Sequence, residues 1–162
     1  MATVDLSDYT PIQISNADDL TIGIVVSEWN DHITENLKNA AIEILQKEGV
    51  LFKNIAIHYV PGAFELSFAT MQLCKAKKYD AVIAIGCVIR GETPHFEFVC
   101  SAVAQGIKDC NILTDIPAIF CVLTDDKEEH SIARSGGDLG NKGVEAAITA
   151  LKMIDFKKKL SQ

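Results

Sequence analysis

Ala81-Val-Ile-Ala-Ile-Gly-Cys-Val-Ile89 is apolar and β-branched without polar alternation, the pattern of a strand covered on both faces. Arg90-Gly91 breaks the run into a turn, and Thr93-Pro94 then opens a helix. Thr93 suits the N-cap, and Pro94 suits the first helical position, where its missing N–H costs nothing. His95 is thereby predicted in the first turn of a helix, just past the carboxyl end of a central strand. Open α/β sheets bind ligands at that place.

Three more segments have the character of buried strands: Thr21–Ser27, Asn54–Val60 and Ile116–Leu123. Between them run helical periodicities. Ile33, Leu37, Ala40, Ala41, Ile44 and Leu45 recur until Gly49 stops the first. A second helix is expected from about Ala63 to Lys77, and a third from Pro94 with Val99, Ala102, Val103, Gly106, Ile107 and Cys110 on one face. Thr124-Asp125-Asp126 reads as the start of a fourth, with a cap and acidic first-turn residues. Ser135–Gly140 interrupts it, and a last helix turns Val144, Ala147, Ile148, Leu151 and Ile154 inward. Strands alternating with helices in one chain of 162 residues predict a single α/β domain, residues 1–162. Its architecture is a three-layer sandwich, with a four-stranded parallel sheet and helices on both faces. Residues 1–9 are polar and expected to be loose. Pro11–Ser15 alternates like a short edge strand, able to pair with a neighbouring subunit. Residues 157–162 read as a basic, solvated tail.

Composition narrows the function. A net charge of −7 argues against non-specific nucleic-acid binding, which needs a positive face. No apolar run is long enough to span a membrane, and the N-terminus lacks the features of a secretory signal. Cys74, Cys87, Cys100, Cys110 and Cys121 include no C-x-x-C pair, and the four histidines share no ligand-like spacing. Reduced core thiols in a cytoplasmic protein, with no metal site, are the expectation.

Parallel strands gather their carboxyl-terminal residues at one edge of the sheet. That edge collects Trp29-Asn30, Ala63-Phe64-Glu65, Cys87 to His95 and Phe120 to Thr124, with Arg134 and a glycine-rich segment following. The set suits a flat polar ring with a polar tail and an anion. Each member also has a plainer reading. A lone histidine is ordinarily a surface or satisfied core residue, but the positive end of a helix dipole disfavours imidazolium and leaves a ring able to accept a proton. Trp29 either packs or stacks on a heteroaromatic ring. Glu65 either complements a helix N-terminus or accepts from sugar-like hydroxyls. Arg134 with Ser135–Gly143 either holds a phosphate or connects two helices. Phe120, inside a buried strand, reads as core. Cys87 invites a nucleophilic role, yet its apolar flanks favour an inert buried thiol.

Val60-Pro-Gly-Ala-Phe-Glu-Leu66, Gly86-Cys-Val-Ile-Arg-Gly-Glu-Thr-Pro-His-Phe-Glu-Phe-Val99, Phe120-Cys-Val-Leu-Thr124 and Gly140-Asn-Lys-Gly143 together resemble the 6,7-dimethyl-8-ribityllumazine synthase family over roughly residues 10–156. The Thr-Pro-His-Phe stretch is the most specific part. The resemblance implies a flavodoxin-like fold. It also implies a transferase of riboflavin biosynthesis, condensing 5-amino-6-(D-ribitylamino)uracil with 3,4-dihydroxy-2-butanone 4-phosphate without metal or organic cofactor. By the same resemblance, Trp29 stacks on the pyrimidine, and Ala63, Phe64 and Glu65 contact its ribityl chain and ring. Cys87, Val88 and Ile89 read the uracil edge through backbone groups. Glu92 and Thr93 bind the phosphate-bearing substrate, and His95 transfers protons. Phe120 and Arg134 come from the adjacent subunit, Arg134 for the phosphate, with Lys142 assisting. The implied assembly is a homopentamer or an icosahedral shell of pentamers. Four positions depart from the usual pattern: Cys87 and Glu92 stand where smaller residues are frequent, Asp138 where many members have lysine, and Trp29 where phenylalanine is commoner. The alternatives are a non-catalytic flavin-binding module, a shell-forming structural protein and a cysteine hydrolase on the same fold.

Overall fold

The structure is a computed structural model that describes Tyr9, Ile12 and residues 14–160. Its strands are β1 (Ile22–Ser27), β2 (Ile55–Val60), β3 (Ala81–Ile89) and β4 (Ala118–Asp125), in the order β2-β1-β3-β4. All three pairings are parallel. The apolar runs at β1 and β3 are buried nearly throughout because both strands are central and covered on both faces. Edge strand β2 instead exposes His58 and Tyr59.

Helices α1 (Asp31–Lys47) and α5 (Lys142–Leu160) cover one face of the sheet. Their core contains Ile33, Leu37, Leu45, Ala147, Leu151 and Ile154 against Ile22, Ile24, Ile83 and Ile85. Helices α2 (Leu66–Lys75) and α3 (His95–Thr114) cover the other, where Leu66, Val103, Ile107 and Cys110 meet Val25, Val82, Ala84 and Val122. The short α4 (Glu128–Arg134) follows β4, and a small antiparallel hairpin, β5 (Ser135–Gly137) and β6 (Gly140–Asn141), leads into α5. Gly143 lets α5 approach α1 so closely that a Cβ there would overlap the Leu37 carbonyl.

Several boundaries differ from the sequence reading. Helix α3 starts one residue later than the capping pattern suggests: Pro94 is the N-cap, and no side chain caps the helix. Arg90 holds its first turn instead, stacking 4.2 Å from the centre of the Phe96 ring and pairing with Glu97 and Asp126. Strand β4 continues through Thr124 and Asp125, because its ladder with β3 runs to the pair Ile89 and Asp125. The α4 N-cap is therefore Lys127. Lys157–Lys159 form the last turn of α5, where cations suit the helix dipole, and Lys157 pairs with Asp115 at the end of α3. The expected looseness of residues 1–9 falls, except for Tyr9, outside the described residues. Within the expected strand Pro11–Ser15, Pro11 and Gln13 lie outside them too. Ile12 and Ile14 are not in a strand but pack on the core beside α1, and the Ile12 amide donates to Glu48 at 2.8 Å.

Candidate active site

The loop after β1 is fastened to both neighbouring strands. Trp29 donates its amide to the Pro61 carbonyl at 3.1 Å, and Asn30, in the left-handed region at φ 61°, donates its side-chain amide to the Cys87 carbonyl at 3.0 Å. The indole lies over Gly62, where a Cβ would come within 2.6 Å of two ring carbons. The Gly62 amide donates to Glu65 Oε2 at 3.1 Å, which fixes the carboxylate beside the start of α2. Glycine is thus required at 62 by the ring above it rather than by backbone strain.

These residues surround a cleft of about 500 Å³ lined by Trp29, Asn30, Ala63, Phe64, Glu65, Cys87, Val88, Ile89, His95 and Val99. Eight of the residues singled out in the sequence are therefore brought together there. Trp29 and Phe64 are 67% and 58% exposed, so their rings form open walls rather than core. His95 stands exposed at the rim. The sequence places Asn30 at this edge but marks it for no role beyond following a strand. Its role as a brace for the Cys87 carbonyl emerges only when β1 and β3 are paired.

Glu92 and Thr93 lie exposed in the turn before His95 and do not line the cleft. Phe120 and Arg134 line a different hollow of about 500 Å³ along β4, together with Lys142, Glu145 and Met153. Phe120 is 43% exposed, contrary to the core position its apolar strand suggested, because β4 is an edge strand. Lys142 pairs with Glu145 at 2.5 Å. Asp138 is exposed in the hairpin turn.

Cys87 is buried and donates its thiol to Ser131 Oγ at 3.4 Å. Burial, with the nearby Asp125 and Glu128 charges adding to it, pushes the thiol up to about 11, so it stays protonated near neutrality. A cysteine-hydrolase role is unsuited to such a thiol, whose partner is a hydroxyl rather than a base. All five cysteines are free. Among the described residues, no helix is long and apolar enough to cross a membrane.

A Gly62→Ala substitution is expected to tilt the indole away from the cleft while leaving the fold intact. Loss of an aromatic stacking face is worth ~1–3 kcal/mol per base, so KM for a pyrimidine substrate should rise roughly tenfold. Trp29 is the only tryptophan, so its fluorescence reports the displacement directly. Unchanged emission together with unchanged KM would refute this account of Gly62.

The profile of the 6,7-dimethyl-8-ribityllumazine synthase family matches residues 19–158. The chain is 57% identical over 152 residues to the 6,7-dimethyl-8-ribityllumazine synthase of Flavobacterium psychrophilum, covering 94% of this chain and 80% of that protein. It is 51% identical over 164 aligned positions to the enzyme of the same name from Phocaeicola vulgatus, covering 100% and 98% of the two chains. The corresponding protein of Flavobacterium johnsoniae is 54% identical over 157 residues, covering 97% and 83%. With four parallel strands, a cleft at their carboxyl ends and agreement of this depth along almost the whole chain, the protein belongs to the 6,7-dimethyl-8-ribityllumazine synthase family and is an enzyme of the penultimate step of riboflavin biosynthesis.

Proposed function

We propose that the cleft holds 5-amino-6-(D-ribitylamino)uracil and 3,4-dihydroxy-2-butanone 4-phosphate together and condenses them to 6,7-dimethyl-8-ribityllumazine, phosphate and two waters. The observation that carries this assignment is the gathering of Trp29, Glu65, the β3 end and His95 around one cleft. Trp29 stacks on the pyrimidine, and Ala63, Phe64 and Glu65 border the ribityl chain. The backbone of Cys87, Val88 and Ile89 pairs with the uracil edge, its Cys87 carbonyl held by Asn30. The ring amine condenses with the ketone to an imine with loss of one water, phosphate is eliminated, and closure of the second ring releases the other water. His95 accepts and returns protons at the rim, beside the turn of Glu92 and Thr93, which faces the phosphate-bearing substrate.

Phe120 and Arg134 sit outside their own protomer's cleft, so the anion site is completed by a second copy of the chain, whose hollow along β4 closes over the first copy's cleft. Exposed apolar side chains favour such packing: Phe98, Ile112 and Leu113 on α3 are each at least 70% exposed, as is Phe68 on α2. A homopentamer, alone or as the unit of an icosahedral shell, gives every cleft one such neighbour. Five free thiols suit the reducing cytoplasm. Mixing both substrates with the purified protein should generate lumazine fluorescence, and light scattering should report a mass of five chains or a multiple of five. Binding of riboflavin without lumazine formation would instead indicate a pocket that has kept its shape and lost its chemistry.

A further inference from the structure

A buried polar chain that the proposed chemistry does not use connects the two hollows of one protomer. It begins at Cys87 in the wall of the cleft, whose thiol donates to Ser131 Oγ on α4. Ser131 Oγ in turn donates to Asp125 Oδ2 at 2.8 Å, and Asp125 Oδ1 lies 3.9 Å from Nη1 of Arg134, in the hollow along β4. Ser131 is fully buried, and Asp125 is 9% exposed. A carboxylate with so little access to water is costly unless donors and a cation surround it. Strand pairing does not require one here, since the backbone contact at this position, Arg90 amide to Asp125 carbonyl, is indifferent to the side chain. What the carboxylate does is divide its oxygens, one held by Ser131 and the other turned to Arg134. The guanidinium also donates from Nη1 to the His130 carbonyl at 2.9 Å in its own helix.

We propose that Asp125 is the positioning residue of Arg134: anchored by Ser131, it holds the guanidinium in the one orientation that presents its fork to a phosphate monoester. The proposal rests on the reading that Arg134 binds the phosphate-bearing substrate. Without the carboxylate, the long arginine side chain samples several rotamers, and bidentate recognition needs only one of them. Asp125 is a second partner, not a contact of the substrate itself, so its removal should weaken one ligand selectively.

The test is steady-state kinetics of the full-length assembled enzyme, varying each substrate separately. Asp125→Asn preserves shape and a partner for Ser131 but removes the charge. It should raise KM for the butanone phosphate roughly tenfold, the low end of what losing an outer partner costs a metal-ligating residue. KM for the pyrimidine and kcat should stay within about twofold. Ser131→Ala should shift the same constant in the same direction by less, and it carries the test if Asp125→Asn does not assemble. In a double-mutant cycle with Arg134→Ala, the Asp125→Asn effect should vanish, because there is no longer an arginine to position. A change in both KM values together, a fall in kcat alone, or additivity in the cycle would overturn the proposal by marking Asp125 as merely structural. If Arg134→Ala itself leaves the phosphate-substrate KM unchanged, the underlying reading of Arg134 fails. If Arg134→Ala weakens that substrate and Asp125→Asn does not, only the positioning role fails.

Discussion

His95→Ala is expected to lower kcat by about a hundred- to ten-thousand-fold, the usual contribution of a positioned proton-transfer group, and to leave activity that is still measurable. The residual rate follows from the rest of the cleft. Holding two small reactants in reactive geometry removes roughly 7–11 kcal/mol of the barrier, and the cleft residues in the loop after β1, the turn before α2 and the end of β3 are untouched by the substitution. Because His95 is exposed and its side chain makes no hydrogen bond among the described residues, the variant should melt with the parent and bind both substrates with similar KM. The first turn of α3 should also stay in place, since Arg90 holds it through Phe96, Glu97 and Asp126. An unchanged kcat at saturating substrates would remove His95 from the chemistry. A parallel fall in melting temperature would instead make the rate loss a folding effect.

Arg90 also illustrates what the sequence does and does not disclose. The strands could be read because continuous β-branched runs have few other uses, and the four assigned that way are the four in the sheet. Helix starts were less legible. Thr93-Pro94 carries a capping signature, yet no side chain caps the helix, and its first turn is held instead by Arg90 through Phe96 and Glu97. At Thr124-Asp125 the same vocabulary suggested a cap, but pairing with β3 kept both residues in the strand and buried the aspartate. Polarity at a strand end is ambiguous between a cap and a buried partner, and only the tertiary neighbours Ser131 and Arg134 decide between them. Phe120 failed for a related reason: an apolar residue in an apolar strand is core only if the strand has neighbours on both sides. The cleft itself was largely legible, because parallel topology alone collects the strand ends. Parallel topology alone would also have put Phe120 and Arg134 there; only the family resemblance set them on a neighbouring subunit, and the single chain separates them from Trp29 and His95.

That separation makes Arg134→Ala the most informative substitution for the assembly. Loss of a hydrogen bond to a charged group costs about 1.5–3 kcal/mol, so KM for the butanone phosphate should rise roughly ten- to a hundredfold, with KM for the pyrimidine unchanged. The parent's phosphate-substrate affinity should fall as ionic strength rises, and the variant's should depend on salt less. Removing Arg134 also strips a largely buried carboxylate of its cation, so some loss of thermal stability is expected alongside. Mixed assemblies separate the two effects. When His95→Ala and Arg134→Ala subunits are denatured and reassembled together, a cleft completed by its neighbour's arginine finds both groups intact in roughly a quarter of random pairings around a ring. The mixture should then turn over well above the mean of the two parents at limiting phosphate substrate. If each subunit's arginine served its own cleft, every cleft in the mixture would lack one group or the other, and no gain would appear. A stability defect cannot imitate the gain, because the less stable subunits are present in both the mixture and their own homo-oligomer. Activity at the average of the two variants would therefore place the anion site within the protomer and dismiss the neighbour's part in it.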